Sequence, residues 1–381
     1  MGLNRQFNTI VYHSDTGVIK EILPNKYIKS RKALNNLLGL PESKEIKFFY
    51  VPGYFPLLKE NWIVKIGSKN RVPRLISRDG RDGELLLAQK EAEYILQHYK
   101  EINFFFEGGL GDYIDQVDVM IACGKNHPGK KLRVSMDGTR VEALSLIEGF
   151  KNTVIFSSHG PGKSNTPVIK FSKINSLCAN YLPDGKIGAY SLIAGLDKTA
   201  ERNKIIVPAD DLKNARAIIQ KKIGQDYKTI IALHTMSGNC NTKGILPDRL
   251  PKLLTSILNN KDLWLLHFGG HGEEAAHHKR IISLQGKLNW KEVFAVMSLC
   301  DGCICIDSAI LHIAQHLNLP TVSFWGPTDC NNILGADPGV ESVTITLKCR
   351  NCNRYECNHK NCMENLDQKE VNRKIKKLLR K

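Results

Sequence analysis

The segment CICIDSAILHIAQHLNLPTVSFWGPT, residues Cys303 to Thr328, predicts a β-strand, a helix and a second β-strand in direct succession. Cys303 to Ile306 is a short apolar run, typical of a buried parallel strand. Asp307-Ser308 stands where a helix N-cap is expected, and apolar residues follow it at helical spacing. Pro320 ends the helix, and Thr321 to Phe324 forms the next strand. The segment therefore predicts a βαβ unit of an α/β fold.

The polar residues of this segment are predicted to lie where α/β folds bind ligands. Asp307, Ser308 and His312 follow the carboxyl end of a parallel strand. Backbone N–H groups at the start of the helix favour a phosphate. An ordinary βαβ unit in which Asp307 caps the helix fits the same spacing, so both interpretations stay open on these features alone.

The order of residues in the segment carries a resemblance. D-S-A-x-x-H-x-A-x-x-L-x-x-P-T-V-x-x-x-G-P-T, from Asp307 to Thr328, resembles the nucleotide-sugar signature of glycosyltransferase family nine. These are inverting enzymes of the GT-B fold, and they include the ADP-heptose heptosyltransferases. The usual third residue of the signature is Gly, and Ala309 in its place leaves less room for a phosphate. The resemblance implies an ADP-sugar site that includes Asp307, Ser308, Ala309 and His312.

Length, charge and cysteine content restrict the class of protein. A chain of 381 residues suits two domains with full cores, and a net charge of +16 favours nucleic acid, an anionic membrane surface or acidic substrates as partners. The basic residues are spread along the chain, which speaks against nucleic acid. No signal peptide and no transmembrane segment is expected. Eleven cysteines without an export signal predict reduced thiols or a metal site, and a cytoplasmic protein.

The first hundred residues are predicted to form a small accessory module. Phe48 to Val51 and Trp62 to Ile66 are expected to be short strands, and Arg71 to Asp82 a charged, turn-rich stretch. Glu84 to Tyr99 has the apolar spacing of a helix. Nothing in this module points to chemistry.

A glycine-rich turn from strand to helix opens the next domain. Ile102 to Phe106 is the predicted strand, and Gly108-Gly109-Leu110-Gly111-Asp112 follows it. By spacing alone, such a turn is common and Asp112 fits a plain N-cap. The family resemblance predicts a more specific role than the spacing does, because family nine enzymes open this domain with a Gly-Asp turn whose Asp is regarded as the general base. Gly111 and Asp112 match that turn, so Asp112 is the predicted catalytic base.

The remainder of this domain is predicted to contain further βα units. Leu132 to Val134 and Thr153 to Phe156 are expected strands, and His159 in the next loop lines the acceptor side or is simply solvated. Ile205 to Val207 is also predicted to be a strand, with the hinge between the domains near residue 205. The four predicted units are residues 1–100, the accessory module; 101–205, the acceptor domain; 206–345, the nucleotide-sugar domain; and 346–381, a Cys-rich finger with a closing helix.

Loops of the second domain supply the remaining donor-site candidates. The resemblance places hydroxyls and a lysine on the sugar diphosphate, and Ser237 and Lys243 match loosely. It also implies an acidic residue near the ribose, for which Glu273 or Glu274 is available, and an adenine pocket around Gly286. A lysine at this place supplies positive charge to the departing ADP. Each of these residues also fits an ordinary loop or helix start.

Cys349, Cys352, Cys357 and Cys362 form the pattern C-x2-C-x4-C-x4-C. Four thiolates at this spacing predict one structural zinc or iron site, with reduced thiols and a zinc knuckle for nucleic acid as the alternatives. The basic closing helix, Lys369 to Lys381, is expected to return to the first domain, as it often does in GT-B proteins.

The layout of the whole chain resembles one branch of family nine. The bacterial autotransporter heptosyltransferases also have about 100 residues before the Gly-Asp turn and a four-cysteine iron finger. This resemblance implies transfer of heptose from ADP-heptose to serines of an autotransporter adhesin, a homo-oligomer and no catalytic metal. The alternatives are a lipopolysaccharide core heptosyltransferase, a family nine enzyme for another nucleotide sugar, and a Cys-rich nucleic-acid-binding module.

Overall fold

The computed structural model describes most of the chain from residue 89 onward and five separate strands before it. The described residues before 89 are 7–13, 19–22, 46–52, 62–65 and 74–77. From residue 89 the gaps are 90, 91, 94, 107, 137, 158–165, 172–183, 225–228, 239, 241, 260, 274–275, 336, 350–351, 355 and 381. No helix in the described part of the chain is long and apolar enough to cross a membrane.

The five strands before residue 89 form two antiparallel sheets. Strands β1 (Phe7–His13), β2 (Ile19–Ile22) and β3 (Ile46–Pro52) pair in the order β2-β1-β3. Strands β4 (Trp62–Lys65) and β5 (Arg74–Ser77) form a two-stranded sheet. The strands predicted around Phe48 and Trp62 are present. The stretch Arg71 to Asp82, expected to be rich in turns, also contains β5, which the sequence did not predict.

The first parallel sheet has four strands in the order β8-β7-β6-β9. They are β6 (Glu101–Phe105), β7 (Lys131–Ser135), β8 (Val154–Ser157) and β9 (Val168–Lys170). The helices of this part are α1 (Leu110–Asn126), α2 (Gly138–Leu144), α3 (Phe150–Thr153) and α4 (Gly185–Ile193). Because β9 lies on the other side of β6 from β7, the strand order reverses at β6, and ligands bind at such switch points.

Helix α5 (Ala209–Ile223) follows the first sheet and packs on the second half of the chain. The strand predicted at 205–207 is absent, because only Ile205 forms an isolated bridge, with Ile147. Two further backbone hydrogen bonds, Glu148 N–H to the Lys204 carbonyl and Ile206 N–H to the Leu146 carbonyl, hold this segment to the first half. In place of the predicted strand, the structure therefore has one isolated β-bridge between two loops.

The second parallel sheet has six strands in the order β12-β11-β10-β13-β14-β15. They are β10 (Thr229–His234), β11 (Leu263–His267), β12 (Ile281–Ser283), β13 (Gly302–Ile306), β14 (Thr321–Phe324) and β15 (Val340–Val343). Its helices are α6 (Leu250–Leu258), α7 (Trp290–Met297), α8 (Ala309–His316), α9 (Cys330–Leu334), α10 (Asn361–Glu364) and α11 (Gln368–Leu378). This is the doubly wound order, with its switch point between β10 and β13.

Both faces of the second sheet are buried, which explains the continuous apolar run that begins at Cys303. Cys303 and Cys305 face the core shared with the first half of the chain, whereas Ile304 and Ile306 face a separate core. Alternation of this kind is the pattern of a central parallel strand. The closing helix α11 buries Val371, Ile375 and Leu378 in that separate core and packs against α6, β14 and β15. The expectation that it returns to the first domain was therefore wrong.

Three helix contacts join the two halves: α1 with α8, α2 with α7, and α4 with α9. They place the carboxyl ends of β6 and β13 next to each other, because α1 follows β6 and α8 follows β13.

Candidate active site between two switch points

Asp307, at the carboxyl end of β13, forms an ion pair with Lys243 from the loop after β10. The Lys243 Nζ to Asp307 Oδ2 distance is 2.7 Å, and the Thr328 hydroxyl donates to the same oxygen at 2.7 Å. Burial by itself raises the pKa of Asp307, but Lys243 and Thr328 together hold it below its usual value. Asp307 is therefore a buried, ionised carboxylate at the switch point, and sequence analysis placed it there together with Lys243.

Helix α8 begins beside this pair. Ser308 is its N-cap, with an extended backbone, and Ala309 is its first residue. The first N–H groups of a helix have no partner within the helix, so they are available to an anion. The Ser308 hydroxyl is 3.0 Å from His234 Nδ1. Burial and the neighbouring His267 lower the pKa of His234 to about 3, so the imidazole is neutral.

Glu273 lies on the other side of His234, on the loop after β11. Its Oε2 is 3.9 Å from His234 Nε2 and, among the described residues, has no hydrogen-bond partner, although it is buried. Burial raises the pKa of this carboxyl group. Gly269 makes room for it, because a Cβ at that position would lie 2.4 Å from Oε2. A buried acceptor without a partner is costly, so this oxygen is suited to a ligand hydroxyl.

The other two predicted loop residues flank Glu273. Ser237 is partly exposed and immediately precedes Gly238, where a Cβ would lie 3.8 Å from Glu273 Oε1. Gly286 donates its N–H to the Gly269 carbonyl at 2.9 Å. The loops after β10, β11 and β12 therefore meet around one carboxylate. Glu274, the alternative acidic residue, lies outside the described residues, as does His159.

Asp112 lies at the switch point of the first sheet, in the first turn of α1. Its Oδ2 accepts the Gly109 N–H at 2.8 Å, in a capping arrangement. Its Oδ1 forms an ion pair with Lys186 and accepts the Tyr190 hydroxyl at 3.1 Å. Asp112 therefore caps its helix, as one interpretation of the sequence expects, and 18% of its side chain is exposed. The catalytic-base interpretation stays a prediction.

His312 lies between the two halves of the chain. Its Nδ1 is 3.2 Å from Asp115 Oδ1, and its ring lies against Gly111, where a Cβ would be 2.5 Å from the ring. Burial by itself raises the pKa of Asp115, but His312 holds it below the usual range. Gly111 is therefore needed for the close approach of α1 and α8, and the structure gives His312 a packing role at this contact.

Four residues of this site were not found by sequence analysis: Lys186, Tyr190, His234 and Thr328. Thr328 closes the quoted signature, and His234 directly precedes the loop that was singled out, so proximity in sequence was an available signal. Lys186 and Tyr190 reach Asp112 only because β9 lies beside β6. No local pattern marks them.

The four cysteines predicted to bind metal follow β15. Cys349 and Cys352 are exposed, whereas Cys357 and Cys362 are partly buried. Burial raises the pKa of the Cys362 thiol, and the three other thiols raise it further. Their donor chemistry fits a tetrahedral thiolate site. Among the residues that the structure describes, no three His, Cys, Asp or Glu side chains are arranged to hold one ion.

Comparison with known proteins identifies the second half of the chain. Residues 215–363 match the family described as glycosyltransferase family 9 (heptosyltransferase). The matched residues include β10 to β15, Lys243, Asp307 and the four cysteines, and the match confirms the resemblance found in the sequence. A search of the curated proteins found no match.

Solved structures with the same fold extend the comparison beyond residues 215–363. E. coli ADP-heptose lipopolysaccharide heptosyltransferase II is 11% identical, with a TM-score of 0.56 over 73% of this chain and 98% of that chain. TibC from enterotoxigenic E. coli, an iron-containing dodecameric glycosyltransferase, is 13% identical, with a TM-score of 0.55 over 99% of this chain and 92% of that chain. TibC has also been solved with ADP-D-beta-D-heptose. These likenesses confirm the predicted α/β fold of GT-B type.

Proposed function

We propose that this protein is an inverting heptosyltransferase that moves heptose from ADP-heptose to a serine hydroxyl of an autotransporter adhesin. The observation that carries the proposal is the pair of facing switch points. Each one has a carboxylate that is ion-paired to a lysine, Asp112 with Lys186 and Asp307 with Lys243. Both lie at the start of helices that pack against each other. A sugar diphosphate between two such helix starts meets positive charge from both sides.

The donor occupies the second switch point in this proposal. Lys243 and the amides at Ser308 and Ala309 hold the diphosphate, while Asp307 accepts hydrogen bonds from heptose hydroxyls. Glu273, whose buried Oε2 has no partner in the described part of the chain, accepts a ribose hydroxyl. Ser237 and Gly286 line the same pocket. Lysine charge and helix amides stabilise the departing ADP without a metal ion.

Asp112 acts as the general base. The acceptor hydroxyl attacks the anomeric carbon from the face opposite ADP, and its proton passes to Asp112 as the bond to the diphosphate breaks. Inversion follows from this single displacement. The position of Asp112 on the first sheet, across the cleft from the donor loops, supports this role.

A protein acceptor is supported by how much of this chain aligns with the TibC structure. The alignment with TibC spans nearly the whole chain, including the two small sheets before residue 89, whereas the lipopolysaccharide enzyme covers 73% of it. We assign those sheets to an accessory module, residues 1–100, ahead of the acceptor domain 101–205 and the nucleotide-sugar domain 206–345. A lipopolysaccharide acceptor is the second candidate, and the net charge of +16 favours it because core lipids are anionic.

Assembly and metal content follow the same proposal. We infer a homo-oligomer in which residues 346–381 form a finger that holds one structural iron, or zinc, on Cys349, Cys352, Cys357 and Cys362. Four thiolates fill a tetrahedral shell, so the metal would stabilise the finger and take no part in transfer. The ten described cysteines are all free, which supports a cytoplasmic location, where thiols stay reduced.

The test is mass spectrometry of a candidate adhesin co-expressed with this protein, in cells with and without ADP-heptose synthesis. The proposal expects one heptose mass per modified serine, and none without donor synthesis or with the Asp112→Asn variant. If the protein restores the truncated lipopolysaccharide core of a strain that lacks its own heptosyltransferase and leaves the adhesin unmodified, the acceptor is lipopolysaccharide. Transfer from another nucleotide sugar in cells without ADP-heptose would show that ADP-heptose is not the donor. Salt-sensitive RNA binding with no transfer at all would favour the nucleic-acid module.

A further inference from the structure

The carboxylate of Asp112 is held by three donors, two of which come from one helix. Gly109 N–H donates to Oδ2 at 2.8 Å, and the Tyr190 hydroxyl donates to Oδ1 at 3.1 Å. Lys186 forms its ion pair with Oδ1, and 14% of its side chain is exposed. Lys186 and Tyr190 are four residues apart on α4, so both side chains project from one face of that helix.

The fold fixes this helix against the second half of the chain. Helix α4 begins at Gly185, whose φ is +65°, and a Cβ there would lie 2.4 Å from the backbone nitrogen of Gly335. Gly335 also has a positive φ, of +62°. Only glycine allows both the positive φ and this close backbone contact, so the start of α4 packs directly against the end of α9. Lys186 is the next residue, and the contact between the halves therefore sets its position.

Among the residues that the structure describes, these three donors leave one acceptor position on the carboxylate. A carboxylate oxygen accepts two hydrogen bonds, and Oδ1 has both from Lys186 and Tyr190. Oδ2 has one from Gly109, which leaves its second lone pair for an acceptor hydroxyl. Burial, followed by the charge of Asp112, raises the pKa of Tyr190 well above its usual value. Its hydroxyl therefore stays protonated and keeps donating to Oδ1.

We propose that Lys186 is a positioning residue for the base, supported by Tyr190, and that the two side chains hold the Asp112 carboxylate with Oδ2 available to the acceptor. This inference rests on the proposed function and adds to it. In the transfer step the acceptor oxygen bonds to the anomeric carbon, its proton moves to Oδ2, and the electrons of the broken carbon–oxygen bond leave on ADP. Lys186 takes no proton from the acceptor in this step, and its role is to hold the Asp112 carboxylate.

The test compares Lys186→Met, Lys186→Arg and Tyr190→Phe with Lys151→Met, which removes an exposed lysine of the same half. In Lys186→Met we expect kcat to fall about 10- to 100-fold, with the donor KM and the ADP affinity from calorimetry unchanged. Lys186→Arg should restore most of the lost turnover, because it returns a cation to Asp112, and Tyr190→Phe should give a smaller loss.

A double variant separates positioning from an independent role. If Lys186 acts through Asp112, Lys186→Met combined with Asp112→Asn should be no slower than Asp112→Asn alone. Weakened ADP binding in Lys186→Met would make Lys186 a phosphate ligand and overturn the inference. So would a Lys186→Met variant as active as Lys151→Met. Both leave the transferase proposal standing, whereas a wild-type protein inactive on adhesin and core acceptors overturns the two together.

Discussion

Replacing His316 tests whether a buried charge pair joins the two halves of the molecule. His316 Nε2 on α8 is 2.6 Å from Asp118 Oδ2 on α1, and its Nδ1 is 2.8 Å from the His312 carbonyl. Both nitrogens face acceptors, so both must carry hydrogens, and the ring is an imidazolium. Burial by itself lowers the pKa of His316, but Asp118, Asp115 and the carbonyl raise it above the usual value.

The loss of unfolding free energy expected for His316→Leu depends on the surroundings of Asp118, which stays behind. Neither side chain of the pair has any exposed surface, and Asp118 Oδ1 already accepts two hydrogen bonds from Asn203. The variant leaves Asp118 as an uncompensated buried charge, which typically costs about 3–5 kcal/mol of unfolding free energy. Adding Asp118→Asn removes the charge but keeps an oxygen for Asn203, so the double variant should recover much of that loss.

The pH dependence has a definite sign. A histidine whose folded-state pKa is raised contributes stability that is fully present below its unfolded pKa, about 6.5. That contribution is lost as the pH rises through the higher folded-state pKa. Urea denaturation of the wild type should therefore show an unfolding free energy that falls as the pH rises through this window, and His316→Leu should lack this component.

The matched control is His277→Leu, which replaces an exposed histidine of the same domain. Its unfolding free energy should lie within about 0.5 kcal/mol of the wild type. A loss below about 1 kcal/mol in His316→Leu, or an unchanged pH dependence, would refute the imidazolium–carboxylate pair.

Three further predictions concern the site and the finger. Asp112→Asn should keep ADP affinity and lose about 100- to 10,000-fold in turnover, and near-normal turnover would contradict the base assignment. Lys243→Ala should weaken ADP binding and slow transfer together, whereas calorimetry with unchanged ADP affinity would remove Lys243 from the donor site. Replacing Cys352 and Cys357 by Ser should lower stability or break assembly, and less than about a tenth of an equivalent of iron or zinc in the native protein would identify ordinary thiols.

The amino-acid sequence by itself determined the local units of the site. The buried run at Cys303 to Ile306, the N-cap at Ser308 and the stop at Pro320 each act over a few residues, so the βαβ unit was predictable. The Gly-Asp turn at Asp112 was predictable for the same reason. The family resemblance then selected Lys243 and Asp307, which the structure joins in one ion pair.

Only the tertiary structure decided which residues surround those local units. Lys186 lies 74 residues from Asp112, and His316 lies 198 residues from Asp118. The first of these contacts depends on strand β9, which has only three residues and therefore shows no detectable alternation of apolar and polar residues. Ile205 to Val207 shows the reverse case, an apolar run that lacks strand partners. Pairing of parallel strands and packing of helices depend on partners distant in the chain, and a local sequence pattern does not specify which partner is met.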